Sequence, residues 1–94
     1  MIQEDRSELS QQTQDMQKAI DSLKEEMEAV NFYRQRAEVC QDENLKKILI
    51  HNMNEEKEHA AMLIEWIRKN DTEFSKELKD YLFSENEDLT AKHE

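Results

Sequence analysis

A glutamate and a histidine three residues apart, Glu56 and His59, lie in a segment of the chain with helical periodicity. At about 100° per residue, the apolar residues of this segment form one stripe, and both polar side chains lie close to it. A carboxylate and an imidazole buried there without partners would lose their hydration without compensation, so a metal ion is the obvious candidate partner. The same spacing presents two ligands from one helical turn in carboxylate-bridged dinuclear proteins.

A segment nearer the N-terminus has apolar residues in a heptad pattern, and another carboxylate lies beside them. Glu26 lies beside the apolar seam of that pattern, in a column with Ala19 and Tyr33, each one heptad away. If the two segments form antiparallel helices, Glu26 can reach Glu56 and His59. One glutamate plus Glu-x-x-His is half of the ligand set of a dinuclear four-helix bundle, so we predict that a two-fold homodimer completes the set.

The donor chemistry favours iron or manganese over zinc. Carboxylates with one imidazole per metal and no thiolate suit a hard-to-borderline ion that changes oxidation state, whereas structural zinc sites are mostly closed tetrahedra of cysteine and histidine. Two bridging carboxylates would hold two Fe(II) ions close enough for one oxygen molecule to take electrons from both. We predict that Tyr33 hydrogen-bonds a ligand or contacts the metal or the oxygen species.

The Glu-x-x-His motif also has a simpler interpretation, which is an ion pair without metal. We favour that interpretation for an isolated motif, because charged helices produce this spacing by chance. The match of a third residue, Glu26, together with Tyr33 reverses the preference. The sequence therefore favours a metal site.

A further acidic group lies on the opposite side of the first helix. Glu25, Glu28 and Phe32 are spaced at i, i+3 and i+7 and share one face. A solvated acidic face is the simpler interpretation from the sequence alone. The functional interpretation is an uptake or transit site for cations that leads towards Glu26.

The elements that must position these residues are helices, because the chain contains no Gly and no Pro. The sequence predicts an all-α fold: an antiparallel hairpin of two long helices and a short C-terminal helix, dimerising into a four-helix bundle. The predicted helices are Ser7–Val39, Glu43–Lys69 and Glu73–Phe83. Their predicted N-caps are Ser7 or Ser10, then Asp42, then Asp71 or Thr72. The predicted seam of the first helix consists of Leu9, Met16, Ile20, Leu23, Met27 and Val30.

We predict one helical domain over residues 1–83, with a frayed start over 1–6, and a disordered polar tail over 84–94 that includes His93. With 36% hydrophobic and 38% charged residues, the chain is too polar for a large core of its own, so we expect it to oligomerise. The formal charge of −10 opposes binding to nucleic acid or to an anionic membrane and suits the attraction of cations. A single cysteine, no long apolar run and no signal-peptide pattern favour a cytoplasmic location.

At these residues the chain resembles the encapsulated ferritins, the short ferritin-like proteins housed in encapsulin nanocompartments. The resemblance runs from about Asp15 to Phe83. It is densest in the blocks Glu25–Tyr33, His51–Asn52, Glu55–Leu63, Glu65–Arg68 and Asp80–Phe83.

The resemblance implies a ferroxidase centre with two iron ions at a dimer interface, a ring-shaped decamer of five dimers, and an encapsulin shell as partner. It implies the iron ligands Glu26, Glu56 and His59, a nearby Tyr33, and a metal-attracting uptake site with Glu25 and Glu28. Phe32 stands where some relatives carry Trp, which should leave the ligands intact and alter the uptake path. No encapsulin-targeting peptide follows Phe83, as expected for a truncated chain or a domain cut from a shell fusion.

We therefore predict a ferroxidase that oxidises Fe(II) to Fe(III) with oxygen and supplies iron for mineralisation and storage in an encapsulin nanocompartment. Two alternatives remain open. One is a metal-free helical oligomerisation module. The other is a different dinuclear carboxylate enzyme, rubrerythrin-like or manganese-dependent.

Overall fold

The computed structural model describes residues 2–91, and every regular element in that range is helical. A short 3-10 turn, Arg6–Glu8, precedes the α-helices α1 (Gln11–Val39), α2 (Glu43–Asn70) and α3 (Thr72–Tyr81). The predicted fold class, two long helices followed by a short one, is confirmed. In the same range, no helix is long and apolar enough to cross a membrane.

Each helix begins at a side chain that caps it. The carboxylate or hydroxyl oxygens of Ser10, Asp42 and Asp71 accept hydrogen bonds from the backbone N–H groups three residues later, at 3.1, 2.9 and 2.9 Å. These bonds satisfy backbone donors that have no partner within the helix. The first helix starts at Ser10 rather than Ser7, because Asp5 caps the separate 3-10 turn by accepting from the N–H of Ser7.

The end of α3 differs from the prediction. The helix stops at Tyr81 instead of Phe83, and Phe83 takes a left-handed backbone conformation with φ 57°. Helices often end with one such residue, usually glycine because a side chain is disfavoured there. The chain contains no glycine, so a phenylalanine occupies this position and is 99% exposed.

Helices α1 and α2 pack against each other as a hairpin. Only residues 40–42 connect them, so the two helices run antiparallel. Glu26 lies 13 residues before the end of α1, and Glu56 lies 13 residues after the start of α2. At 1.5 Å per residue, both are about 20 Å from the connection, and therefore at the same height in the hairpin.

The hairpin buries few side chains. Among the described residues the buried hydrophobic ones are Ala19, Ala37, Ala60 and Ile67. The accessible surface is 7741 Å², whereas a compact monomer of this mass exposes about 5,700 Å². The radius of gyration is 17.2 Å, against about 12 Å for a compact domain of this length.

The seam predicted for α1 is only partly the contact with α2. Ile20 and Met27 are 48% and 55% exposed, and the buried residues of α1 are instead Ala19 and Ala37. At 100° per residue, the line through these alanines lies about 60° from Met16, the centre of the predicted seam. Alanines let the two helix axes approach closely, so the hairpin contact centres on them and leaves larger side chains beside it.

Helix α3 is joined to α2 by a hydrogen-bonded arginine. Arg68 donates from Nη1 to Ser75 Oγ at 3.2 Å, and from Nε and Nη2 to the two carboxylate oxygens of Glu65 at 2.5 and 2.9 Å. The hydrogen bonds from Arg68 lower the pKa of the Glu65 carboxyl, and the same bonds raise the pKa of Arg68. This arginine therefore helps to set the direction of the short helix.

Residues 84–91 form no helix but contain successive turns. In these turns, Ser84, Asn86 and Asp88 each accept a hydrogen bond from the backbone N–H two residues later. The predicted domain boundary and the disorder of the tail stay predictions. His93, which belongs to this predicted tail, lies outside the described residues.

Candidate metal centre

Helix α2 carries the Glu-x-x-His motif beside its buried line. On an ideal helix, Glu56 lies about 20° from the buried Ile67, and His59 lies about 80° away on the same side. Both side chains are partly exposed, at 25% for Glu56 and 43% for His59. One turn of helix therefore presents a carboxylate close to the hairpin contact and an imidazole at its edge.

Helix α1 brings Glu26 to the same place. Its direction is about 20° from the line of the buried Ala19 and Ala37, so it points along the hairpin contact rather than away from it. The side chain is 24% exposed. This position agrees with the prediction that Glu26 flanks a helix interface.

The three side chains meet across the hairpin. His59 Nδ1 lies 3.5 Å from Glu26 Oε2 and 3.6 Å from Glu56 Oε2. One ligand atom from each residue can be chosen so that all three lie within 4.8 Å of one another. The predicted proximity of Glu26, Glu56 and His59 is confirmed, and their role as ligands stays a prediction.

The Glu26 carboxylate is the least satisfied group in this cluster. Its Oε2 atom is buried and has no hydrogen-bond partner. Burying an acceptor without a partner normally costs about 1–3 kcal/mol. The nearest basic nitrogen, on His59, is too distant for a good hydrogen bond at 3.5 Å. A cation bound between the carboxylates would satisfy this oxygen and reduce the repulsion between two acidic groups.

The donor set fits a redox-active metal such as iron. Two carboxylates and one imidazole suit iron or manganese, and no thiolate lies in the cluster. These are one lone glutamate and one Glu-x-x-His pair, which is half of the set used in dinuclear four-helix bundles. The cluster offers three protein side chains, which is half the number that a dinuclear centre uses.

The imidazole side of the cluster borders an exposed apolar surface. On α2 this surface consists of Ile48, Met62 and Trp66, which are 55%, 59% and 38% exposed. His59 lies about 20° from Trp66 around the helix axis. The cluster therefore sits between the hairpin contact and a partly exposed apolar face of α2.

Tyr33 lies on the same side of α1 as Glu26. It is half-buried and two helical turns further along, which is about 10 Å on the helix axis. The Arg36 guanidinium carbon lies 5.7 Å from the centre of its ring. Contact between Tyr33 and a metal at the cluster stays a prediction.

Glu25 and Glu28 are both exposed and line a surface depression of about 340 Å³ together with Asp21 and Lys24. Phe32 is 43% exposed. The ammonium group of Lys24 belongs to this surface, and the sequence interpretation of a purely acidic face did not include it. The predicted role of Glu25 and Glu28 in cation uptake stays a prediction.

Two groups elsewhere could be mistaken for sites. His51 forms an ion-pair contact with Glu55 at 3.2 Å, but both side chains are well exposed, at 72% and 47%. Cys40 Sγ lies 3.5 Å from the backbone oxygen of Asp42 in the helix connection. Neither belongs to the Glu26 cluster.

The chain is similar in sequence to one protein family and to several named proteins. The sequence model of the EncFtn-like family matches residues 1–85. A "Ferritin-like protein" of Thermotoga maritima is 49% identical over 79 residues, covering 84% of this chain and 69% of that protein. An "Encapsulated ferritin-like protein" of Rhodospirillum rubrum is 48% identical over 77 residues, covering 82% of this chain and 55% of that protein.

A "Ferritin-like-encapsulin shell fusion protein" of Pyrococcus furiosus is 38% identical over 66 residues, which are 70% of this chain and 19% of that protein. Among solved structures, the crystal structure of protein ne0167 from Nitrosomonas europaea is similar, with a TM-score of 0.87 and 59% identity. The similarity covers 90% of this chain and 93% of that one. The chain thus matches about half to two thirds of the Rhodospirillum and Thermotoga proteins, and a much smaller part of the shell fusion.

Proposed function

Since this chain belongs to the EncFtn-like family, we propose that it is a ferroxidase that oxidises Fe(II) to Fe(III) with oxygen. The reaction would take place at a di-iron centre formed across a homodimer interface. Relatives named as ferritin-like and encapsulated ferritin-like proteins support an iron-handling role. The physical support comes from the cluster of Glu26, Glu56 and His59.

The single observation that carries the proposal is the buried and unpartnered Oε2 of Glu26, which faces a second carboxylate and an imidazole within 4.8 Å. A cluster built only for stability would pair this oxygen with a donor, because an orphaned charge is costly. A bound divalent cation would pair with this oxygen and reduce the repulsion between the two carboxylates. In the metal-free hairpin this buried charge is therefore unfavourable, and a bound ion would remove that cost.

A second copy of the chain would complete the ligand set. Two-fold pairing would bring two lone glutamates and two Glu-x-x-His pairs together, which is the number a dinuclear centre requires. The surface supports such pairing, because large apolar side chains lie exposed on the side of α2 that carries His59. They are Ile48, Met62 and Trp66.

In the proposed reaction the two iron ions are substrates. Each Fe(II) gives up one electron, and one oxygen molecule takes both electrons and two protons to form hydrogen peroxide. Glu26 and Glu56 would bridge or ligate the ions, and their hard oxygen atoms favour the Fe(III) product. The His59 of each protomer would donate one nitrogen to one of the two ions. Tyr33 would hydrogen-bond a ligand or contact the oxygen species.

Cation uptake is proposed for the exposed surface that carries Glu25 and Glu28. The formal charge of −10 raises the local concentration of cations around the protein. The two carboxylates share one face of α1, and Phe32 lies at its edge. Fe(II) captured there would pass towards Glu26 on the other side of the helix.

The encapsulin shell is the proposed partner of the assembled protein. One relative is named as encapsulated and another as a fusion with an encapsulin shell. We propose a ring-shaped decamer of five dimers inside an encapsulin nanocompartment in the cytoplasm, where the Fe(III) product would be mineralised and stored.

The test is a comparison of two histidine variants with the parent. Fe(II) is added without oxygen, oxygen is then admitted, and the near-ultraviolet absorbance of the Fe(III) product is followed. We expect His59→Ala to lower the initial rate by more than about tenfold. Replacing even a residue that only hydrogen-bonds a metal ligand lowers metal affinity or activity by about 10–100-fold. His51→Ala is the matched control, since His51 lies on the same helix beside a glutamate and outside the cluster.

Equal rates for His59→Ala and the parent would show that the ligand assignment is wrong. A parent that binds no metal and oxidises iron no faster than buffer would instead favour a metal-free oligomerisation module. Peroxide turnover faster than oxygen-dependent iron oxidation would favour another dinuclear carboxylate enzyme. Light scattering with and without Fe(II) would measure whether the oxidising species is a dimer or larger.

A further inference from the structure

One cation on α1 lies between two aromatic rings. The guanidinium carbon of Arg36 is 5.7 Å from the ring centre of Phe32 and 5.7 Å from the ring centre of Tyr33. Around the helix axis Arg36 lies about 40° from Phe32 and 60° from Tyr33, so its side chain falls between the two. Both distances are within the range of a cation–π interaction.

The two rings belong to different faces of the helix. Tyr33 is half-buried and lies about 40° from the line of the buried Ala37, on the side of Glu26. Phe32 is 43% exposed and lies at the edge of the face that carries Glu25 and Glu28. Arg36 therefore contacts one ring from each of the two surfaces that the proposed function uses.

We infer that Arg36 is a positioning residue for Tyr33, and this inference rests on the proposed function. The guanidinium is always charged and planar, so it can face two rings at once without changing its protonation state. Phe32 holds Arg36 from the outer side, and Arg36 in turn restricts the rotation of the Tyr33 ring. The phenol hydroxyl is thereby kept in one direction on the cluster side of the helix.

The expected size of the effect is modest. A cation–π contact at a partly exposed site changes an equilibrium by roughly 2- to 5-fold. Replacing Arg36 should therefore reduce the population of the productive Tyr33 orientation, and with it the rate, by about the same factor. Lysine can also place a cation over a ring, but it lacks the planar group that stacks against two.

The first test measures the orientation of the Tyr33 ring in metal-free protein, so it does not depend on iron chemistry. The chain contains two tyrosines, Tyr33 and Tyr81. With 3-fluorotyrosine incorporated, the fluorine spectrum gives one signal for each, assigned by Tyr81→Phe. We expect Arg36→Gln to move or broaden the Tyr33 signal and to leave the Tyr81 signal in place. Arg34→Gln is the matched control, because it removes the same charge from an exposed position on the same helix.

The second test is a double-mutant cycle on the rate of Fe(II) oxidation at saturating iron. We expect Arg36→Gln to lower the rate about 2- to 5-fold in the parent, and to have no further effect in Tyr33→Phe, which lacks the hydroxyl. Arg36→Lys should recover part of the loss. A purely structural role for Arg36 would lower the rate equally in both backgrounds.

The outcomes separate this inference from the proposed function. An unmoved Tyr33 signal in Arg36→Gln overturns the inference whatever the rates are, and so does an equal loss of rate with and without the Tyr33 hydroxyl. A parent protein without iron oxidation overturns the proposed function, and with it the role of Arg36 in the reaction. In that case the fluorine spectrum still decides whether Arg36 holds the ring.

Discussion

Replacing Glu26 by glutamine should stabilise the metal-free protein and remove its proposed activity. The substitution keeps the shape of the side chain and deletes a charge whose Oε2 atom is buried without a partner. It also gives the side chain an amide group that can donate a hydrogen bond to the Glu56 carboxylate. Both changes favour the folded metal-free state.

The magnitude follows from the distances in the cluster. Carboxylate oxygens of Glu26 and Glu56 lie within 4.8 Å of each other. Two unit charges at such a distance repel by roughly 1 kcal/mol in water and 3–4 kcal/mol at an effective dielectric constant near 20. Both side chains are about three quarters buried, so we take about 1–2 kcal/mol as the gain. For a chain of this size, each kcal/mol raises the Tm by about 4–8 °C.

The assay is thermal unfolding of chelator-treated protein followed by circular dichroism at 222 nm. It should be run at the same pH for all variants. All variants need the same protein concentration, because association changes the Tm by mass action. We expect Glu26→Gln to melt at least about 4 °C above the parent and to oxidise Fe(II) no faster than buffer.

Glu58→Gln is the matched control, since Glu58 is an exposed glutamate on α2 outside the cluster. It should leave both the Tm and the iron oxidation close to the parent values. A Glu26→Gln protein that melts at or below the parent temperature would refute the reasoning, because the cluster would then hold no unrelieved repulsion.

The remaining predictions concern association, packing and pH. Met62→Arg should keep the helical circular dichroism signal but weaken dimer formation and iron oxidation together. Met62 is 59% exposed one helical turn from His59, and an unpaired charge is costly in an interface. Light scattering over a dilution series checks this, and an unchanged dimer would contradict it. Ile67→Ala should destabilise the fold by about 2–4 kcal/mol, since Ile67 is only 2% exposed, and denaturant unfolding measures the loss. Arg68→Ala should lower the Tm at neutral pH, and this Tm difference should shrink as the pH falls below 4.5. Arg68 lowers the pKa of Glu65, so the stabilisation is fully present above the usual value of 4.5 and disappears as the pH falls through the lowered pKa. A Tm difference between parent and Arg68→Ala that stays constant down to pH 3 would exclude this ion pair as its cause.

Local features of the fold followed from residues close together in the chain. Asp42 and Asp71 were predicted as caps and accept the expected backbone hydrogen bonds at 2.9 Å. Capping depends on one side chain and the N–H groups of the next turn, so the sequence alone contains the needed information. The end of α3 could not be predicted in this way, because no glycine marks it and Phe83 takes the left-handed conformation instead.

The proximity of the cluster was also predictable, for a geometric reason. Glu26 and Glu56 lie equally far along the chain from a short helix connection, so an antiparallel hairpin brings them to the same height. The heptad pattern then placed Glu26 beside an interface. Ile20 and Met27 show the limit of the pattern, since periodicity identifies an apolar face but not the neighbour against which it packs.

The order of residues along the chain thus determined the helices, their caps and the equal spacing that brings Glu26 level with Glu56. Only the tertiary structure decided how far each helix is rotated about its own axis, because that rotation depends on how closely the two helices approach at Ala19, Ala37 and Ala60. This rotation leaves the Oε2 atom of Glu26 buried without a hydrogen-bond partner and leaves large apolar side chains of both long helices exposed.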